Sequence, residues 1–123
     1  MGKTILIVED EPKNMKLTRD LLKISGFETI EAVDGKEGVE KAKSAKPNLI
    51  LMDIMMPKMD GYAACSEIKS NEATKNIPVI MLTAVGFDLN KRLAKQMGAN
   101  GYVTKPFSLQ QLMNAINPLL GSS

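Results

Sequence analysis

Three unbroken apolar tetrads, Ile5-Leu6-Ile7-Val8, Leu49-Ile50-Leu51-Met52 and Val79-Ile80-Met81-Leu82, constrain this chain more than any other feature. A weaker run, Gly101-Tyr102-Val103-Thr104, comes after them. A strand with one wet face alternates apolar and polar residues, so tetrads without alternation are strands covered on both faces, as in parallel sheets. Parallel strands need long crossovers, and the stretches between the runs have helical character. Leu17, Leu21 and Ile24 recur at helical spacing after Pro12, which suits a first helical turn because its missing N–H is not needed there. Val39 with Ala42 marks a second helix, and Ala63-Ala64 with Ile68 a third. Leu89, Leu93 and Met97 mark a fourth, and Leu109, Leu112, Met113 and Ile116 a fifth. Pro118 is expected to end that last helix near Asn117, since proline crowds the preceding residue out of the helical region. Phe27, Ile30 and Ala32 supply one more short strand. Five strands alternating with five helices predict a doubly wound α/β fold with a parallel sheet covered on both faces. The 123 residues make one domain, 1–123, with no room for a second.

Composition removes several chemistries. With no histidine there is no histidine base, no Ser-His-Asp triad and no internal phosphohistidine, so any phosphoryl donor must come from outside. One cysteine and no histidine also rule out a zinc site of the usual kind and an internal disulfide. Cys65, among Ala63, Ala64 and Ile68, reads as a small inert core residue, and the methionines as core and loop filler. Lys91, Arg92 and Lys95 cluster on the fourth helix, where a solvated face is the plain reading and a docking surface the alternative. Aromatic residues make up only 4% with no tryptophan, which leaves no base-stacking platform, and no direct nucleic-acid partner is expected. No apolar stretch reaches membrane-spanning length, and a strand begins at once without a long apolar leader, so no membrane partner is expected and the cytoplasm is the expected compartment. Gly121-Ser122-Ser123 reads as a frayed end.

The residues just past the strands are chemically coherent. Parallel strands point one way, so Glu9-Asp10, Asp53, Thr83 and Lys105 would gather at one rim of the sheet. Two carboxylates about 4 Å apart repel by roughly 4 kcal/mol at a partly screened surface, so three of them call for a cation or a raised pKa. Oxygen ligands favour a hard divalent ion such as Mg2+. Asp53 stands alone at the end of a central strand and is the best nucleophile, leaving Glu9 and Asp10 free to hold metal. Lys105 adds a fixed positive charge for an incoming phosphoryl group, and the Thr83 hydroxyl can donate to a phosphoryl oxygen. Each residue alone has a plainer reading: an acidic helix-start turn, a turn aspartate, a β-branched strand end, a surface lysine. Their joint placement after four strands favours the chemical one.

With these residues in place the chain resembles the receiver domain of two-component response regulators over essentially its whole length. Glu9-Asp10, Asp53, Thr83 and Lys105-Pro106 match that family's motifs, as do Met56-Pro57 and Asp60-Gly61 after the acceptor aspartate. The resemblance implies strand order 2-1-3-4-5 and phosphorylation of Asp53 by a histidine kinase or histidine phosphotransferase. It implies Mg2+ held by Asp10, Asp53 and the backbone carbonyl of Met55, with Glu9 acting through water. Lys105 would pair with the phosphoryl group, the Lys105–Pro106 bond would be cis, and Thr83 with Tyr102 would form the switch pair, with room for the ring beside Ala84. The output surface would be helix 4, strand 5 and helix 5, read by a downstream protein. There the chain carries Asn100, Gly101, Gln110, Gln111, Asn114 and Asn117, which leave it short of carboxylates and argue against a charge-stitched dimer; a monomer or weak dimer is expected. Glu9-Asp10 followed by Asn14 is similar to phosphorelay and hybrid-kinase receivers. Apolar Met55 and Val85, two places after Asp53 and Thr83, imply slow self-dephosphorylation.

The expected function is therefore a signalling switch, not an enzyme beyond its own phosphorylation and dephosphorylation. Alternatives are a receiver excised from a longer response regulator or hybrid kinase, a metal-dependent aspartyl-phosphate phosphatase, and a flavodoxin-like cofactor binder. The phosphatase should carry an aspartate where Met55 stands, and the acidic Glu9-Asp10-Glu11 turn would repel a flavin phosphate.

Overall fold

The computed structural model describes residues 3–54, 56, 59–84 and 91–120. Strand and helix alternate as β1 Thr4–Val8, α1 Pro12–Ile24, β2 Glu28–Ala32, α2 Gly35–Ala45, β3 Leu49–Asp53, α3 Gly61–Ser70, β4 Val79–Ala84, α4 Lys91–Gln96, β5 Gly101–Lys105 and α5 Leu109–Leu120. The strands form one parallel sheet in the order β2-β1-β3-β4-β5. The winding direction reverses between β1 and β3, where a doubly wound sheet opens a crevice beyond its carboxyl ends.

Each central strand divides its side chains residue by residue between two cores, which is why the tetrads show no alternation. Leu6, Val8, Ile50, Met52, Val79 and Met81 pack against Val39 and Ala42 of α2 and Ala64 and Ile68 of α3. Ile5, Ile7, Leu49, Leu51, Ile80 and Leu82 pack against Leu22 of α1 and Leu112 and Ile116 of α5. At about 1.5–3 kcal/mol for each fully buried aliphatic side chain, these two layers are the main favourable term in folding.

Carboxylates fix the helix starts nearest the rim. Glu11 accepts from the Lys13 amide at 2.8 Å to cap α1, and Asp60 accepts from the Ala63 amide at 2.8 Å to cap α3. At α2 the cap Asp34 accepts from the Glu37 amide at 2.8 Å, and Glu37 reaches back to accept from the amide of Val33, one residue before the cap, at 2.7 Å.

Two local expectations are corrected. The stripe Leu17, Leu21, Ile24 is not the buried face of α1: Leu17 and Ile24 are 51% and 77% exposed, and Met15, Thr18 and Leu22 face the core. The two stripes lie about one residue apart around the helix, and the buried Thr18 hid the true one. Pro118 does not end α5, which runs to Leu120. Its missing N–H leaves a carbonyl one turn back unbonded, but Asn114 and Pro118 are exposed, so water can serve that carbonyl, while Leu119 and Leu120 pack on the core and hold the final turn. Leu89 and Gly121-Ser122-Ser123 lie outside the described residues, and no helix among those described is long and apolar enough to cross a membrane.

Cys65 is fully buried, and burial pushes its thiol up to about 11 from an ordinary 9.0. A raised pKa means the folded state holds the proton, so this contribution to stability is complete below 9.0 and is lost as pH rises through about 11. Native protein is expected to react with iodoacetamide at pH 8 at least about 100-fold more slowly than unfolded protein, from the thiolate fraction alone. Equal rates in buffer and in urea would refute the buried assignment.

Candidate functional site

Period-two counting from the core places the site residues. Glu9, Asp53 and Lys105 continue the α1/α5-facing sets of β1, β3 and β5, which include Ile5, Ile7, Leu49, Leu51 and Val103. They therefore emerge at the carboxyl rim on one side of the sheet. Thr83 continues the other set of β4, behind Val79 and Met81, and Tyr102 pairs with Met81 in the register and shares that side. This parity is legible in the sequence and predicts which side chains share a side of the rim.

The distances agree with it. Lys105 Nζ lies 3.0 Å from Glu9 Oε1 and 3.3 Å from Asp53 Oδ1. All three side chains are largely sequestered, at 17%, 1% and 8% exposed respectively. Glu9 also accepts from the Glu11 amide at 3.1 Å. Asp10, one residue past Glu9, is exposed, yet one oxygen from each of Glu9, Asp10 and Asp53 lies within 4.8 Å of the others. Burial and then the charge of Asp53 raise the Glu9 carboxyl above its ordinary range, against hydrogen bonds from Lys105 and the Glu11 amide. Burial alone would lower the Lys105 ammonium, but the Glu9 hydrogen bond and the charges of Asp53 and Glu9 outweigh it and hold the ammonium above 10.5. The two groups move upward for different reasons: Glu9 chiefly because it is buried, and Lys105 because its two carboxylate partners outweigh its burial.

Among the described residues three carboxyl groups face one ammonium, an acidic cleft built from oxygen donors. That set suits a hard divalent cation. Buried Thr83 has a hydroxyl oxygen without a hydrogen-bond partner, a group that costs about 1–3 kcal/mol unless something supplies one. The Lys105–Pro106 peptide is cis. Tyr102 is 44% exposed at the β5 edge. Met55, Pro57 and Val85 lie outside the described residues.

Gly61 ties α3 to this rim. A Cβ there would sit 2.4 Å from the Asp53 carbonyl oxygen and 2.8 Å from the Ile54 Cα, both backbone atoms that cannot swing aside. Gly61→Ala is expected to cost about 3 kcal/mol, measured as a lower urea midpoint; an unchanged midpoint would show that the contact yields freely.

An acidic crevice at the switch point of a flavodoxin-like sheet, with a fixed ammonium facing it, suits a module that accepts a phosphoryl group. The profile of the response regulator receiver domain matches residues 5–117, and the chain belongs to that family. The polar-differentiation response regulator DivK of Brucella anthropi is 37% identical over 100% of both chains. A putative response regulator from Chloroflexus aurantiacus superposes with a TM-score of 0.92 at 31% identity, covering 98% of each chain. The receiver domain of sensor histidine kinase PA1611 from Pseudomonas aeruginosa, whose structure has a magnesium ion coordinated in the active-site cleft, gives 0.91 at 34% identity, covering 99% of this chain and 100% of that one. The chain is thus similar both to response regulators and to a receiver carried by a histidine kinase, and receivers of this family act as signalling switches that work with histidine kinases and downstream targets.

Proposed function

We propose that residues 1–123 act as one receiver domain, with Asp53 as the phosphoryl acceptor and a histidine kinase or histidine phosphotransferase as donor. The supporting observation is the ammonium of Lys105 held between the buried carboxylates of Asp53 and Glu9. An Asp53 oxygen forms the new P–O bond as the P–N bond to the donor imidazole breaks, and the imidazole leaves with the electron pair. Lys105 then exchanges carboxylate contacts for a phosphoryl oxygen without leaving its place. Thr83 donates its unpartnered hydroxyl to another phosphoryl oxygen. Asp10, Asp53 and the Met55 carbonyl would hold Mg2+, with Glu9 acting through water, and the ion would neutralise charge on the phosphoryl oxygens during transfer. The magnesium in the cleft of the similar PA1611 receiver supports this choice of metal.

Tyr102 follows Thr83 inward, and α4, β5 and α5 present the changed surface to a downstream protein. The chain is a cytoplasmic monomer or weak dimer and a switch whose only chemistry is its own phosphorylation and dephosphorylation. Acetyl phosphate with Mg2+ tests the central step: one phosphoryl group per chain, removed by hydroxylamine as an acyl phosphate is, is expected. A hydroxylamine-stable label, or equal labelling with EDTA, would overturn it.

A further inference from the structure

We propose that the edge formed by α4, β5 and α5 receives an acidic segment of a partner protein. This rests on the receiver reading above and gives its output face a partner chemistry. All 14 acidic residues occur at or before position 88; from 89 onward the only charged residues are Lys91, Arg92, Lys95 and Lys105. Lys105 is turned inward onto Glu9 and Asp53. Arg92 and Lys95, three residues apart and so neighbours on α4, are exposed, and among the described residues no carboxylate pairs with either. Elsewhere both signs are interleaved along the chain, and surface pairs such as Lys16–Asp20 at 2.8 Å and Lys75–Glu72 at 3.0 Å form. A merely solvated face would show that same mixture.

Beside these cations the surface is polar but uncharged. A groove of about 370 Å3 runs between β5 and α5, lined by Tyr102, Val103, Thr104, Gln111, Asn114 and Ala115. β5 is the edge of the sheet, hydrogen-bonded through β4 on one side. Edge-strand backbone and side-chain amides suit a polypeptide backbone, Val103 and Ala115 offer a small apolar floor, and the cations of α4 favour carboxylates on the incoming chain. No acid on β5 or α5 would repel it.

The test uses the full chain, 15N-labelled, with and without acetyl phosphate and Mg2+. The probes are a synthetic extended peptide alternating glutamate with valine, and its counterpart with lysine for every glutamate. At about 0.01 M ionic strength, where charges act over about 30 Å, the acidic peptide is expected to bind at least about tenfold more tightly. Its largest amide shifts should fall on residues 101–104 and 111–115. The double variant Arg92→Glu, Lys95→Glu, checked for an unchanged unfolding curve, is expected to lose that preference.

Equal binding of the two peptides, shifts elsewhere, a preference that survives charge reversal, or tighter binding of a single-stranded oligonucleotide would each overturn the proposal. So would self-association of the chain through this face that excludes the acidic peptide. Labelling of Asp53 in the same samples separates the two readings. Normal label without peptide preference sinks this proposal alone, whereas absent label sinks the receiver reading.

Discussion

Asp53→Ala is expected to take up no label above background from acetyl phosphate and Mg2+, while the wild-type chain reaches one phosphoryl group. The loss should be complete because, among the described residues, no other nucleophile has Asp53's setting. Glu9 is buried and committed to Lys105 at 3.0 Å, and burial together with the charge of Asp53 disfavours its charged form. Asp10 is exposed and stands apart from the ammonium's two contacts. Removing Asp53 also removes a repulsion on Glu9, so the variant should unfold at no lower temperature than the wild type. A folded variant that keeps its label would place the acceptor elsewhere.

The second large effect concerns Lys105. Lys105→Met keeps the length of the side chain but leaves Glu9 and Asp53 facing each other, both almost fully buried, without a cation. Stranding buried charge costs about 3–5 kcal/mol in general; with the ammonium 17% exposed, solvent relieves part of this, and about 2–3 kcal/mol is expected here. The pH dependence comes from the two directions. A raised Glu9 pKa gives stability that is complete below 4.5 and is lost as pH rises through the folded value, so acid should rescue the variant as Glu9 takes a proton. The raised Lys105 pKa gives the wild type stability that is complete below 10.5 and is lost above it, and the variant should lack that alkaline transition. Magnesium should raise the melting temperature of the variant more than that of the wild type, since the ion then replaces the counter-charge that Lys105 supplied. Equal melting temperatures for variant and wild type in EDTA at pH 7 would refute the bridging role.

Much of the fold and site is legible in the sequence because the decisive residues stand at strand ends, where backbone direction alone gathers them. The tetrads mark their strands to within a residue or two, and the α2 and α3 core residues are readable from their spacing. The buried face of α1 is not, because Thr18 takes a core position that a hydrophobic pattern passes over, while Leu17 and Ile24 occupy exposed ones. Pro118 misleads for a different reason: a local rule about proline yields when later apolar side chains hold the turn. The sharing of one ammonium by Glu9 and Asp53 needs strand order as well as strand parity, and order came from the family likeness.

The close seating of Gly61 on the carbonyl of Asp53 has a mechanical meaning. The main chain beneath the acceptor is pinned by the first turn of a neighbouring helix, with no slack to absorb a push from a newly attached anion. If Asp53 takes up phosphate as proposed, the motion is expected at the neighbouring strand β4, where Thr83 offers a hydroxyl still seeking a bond. A fixed seat under one strand leaves the adjoining strand to carry news outward.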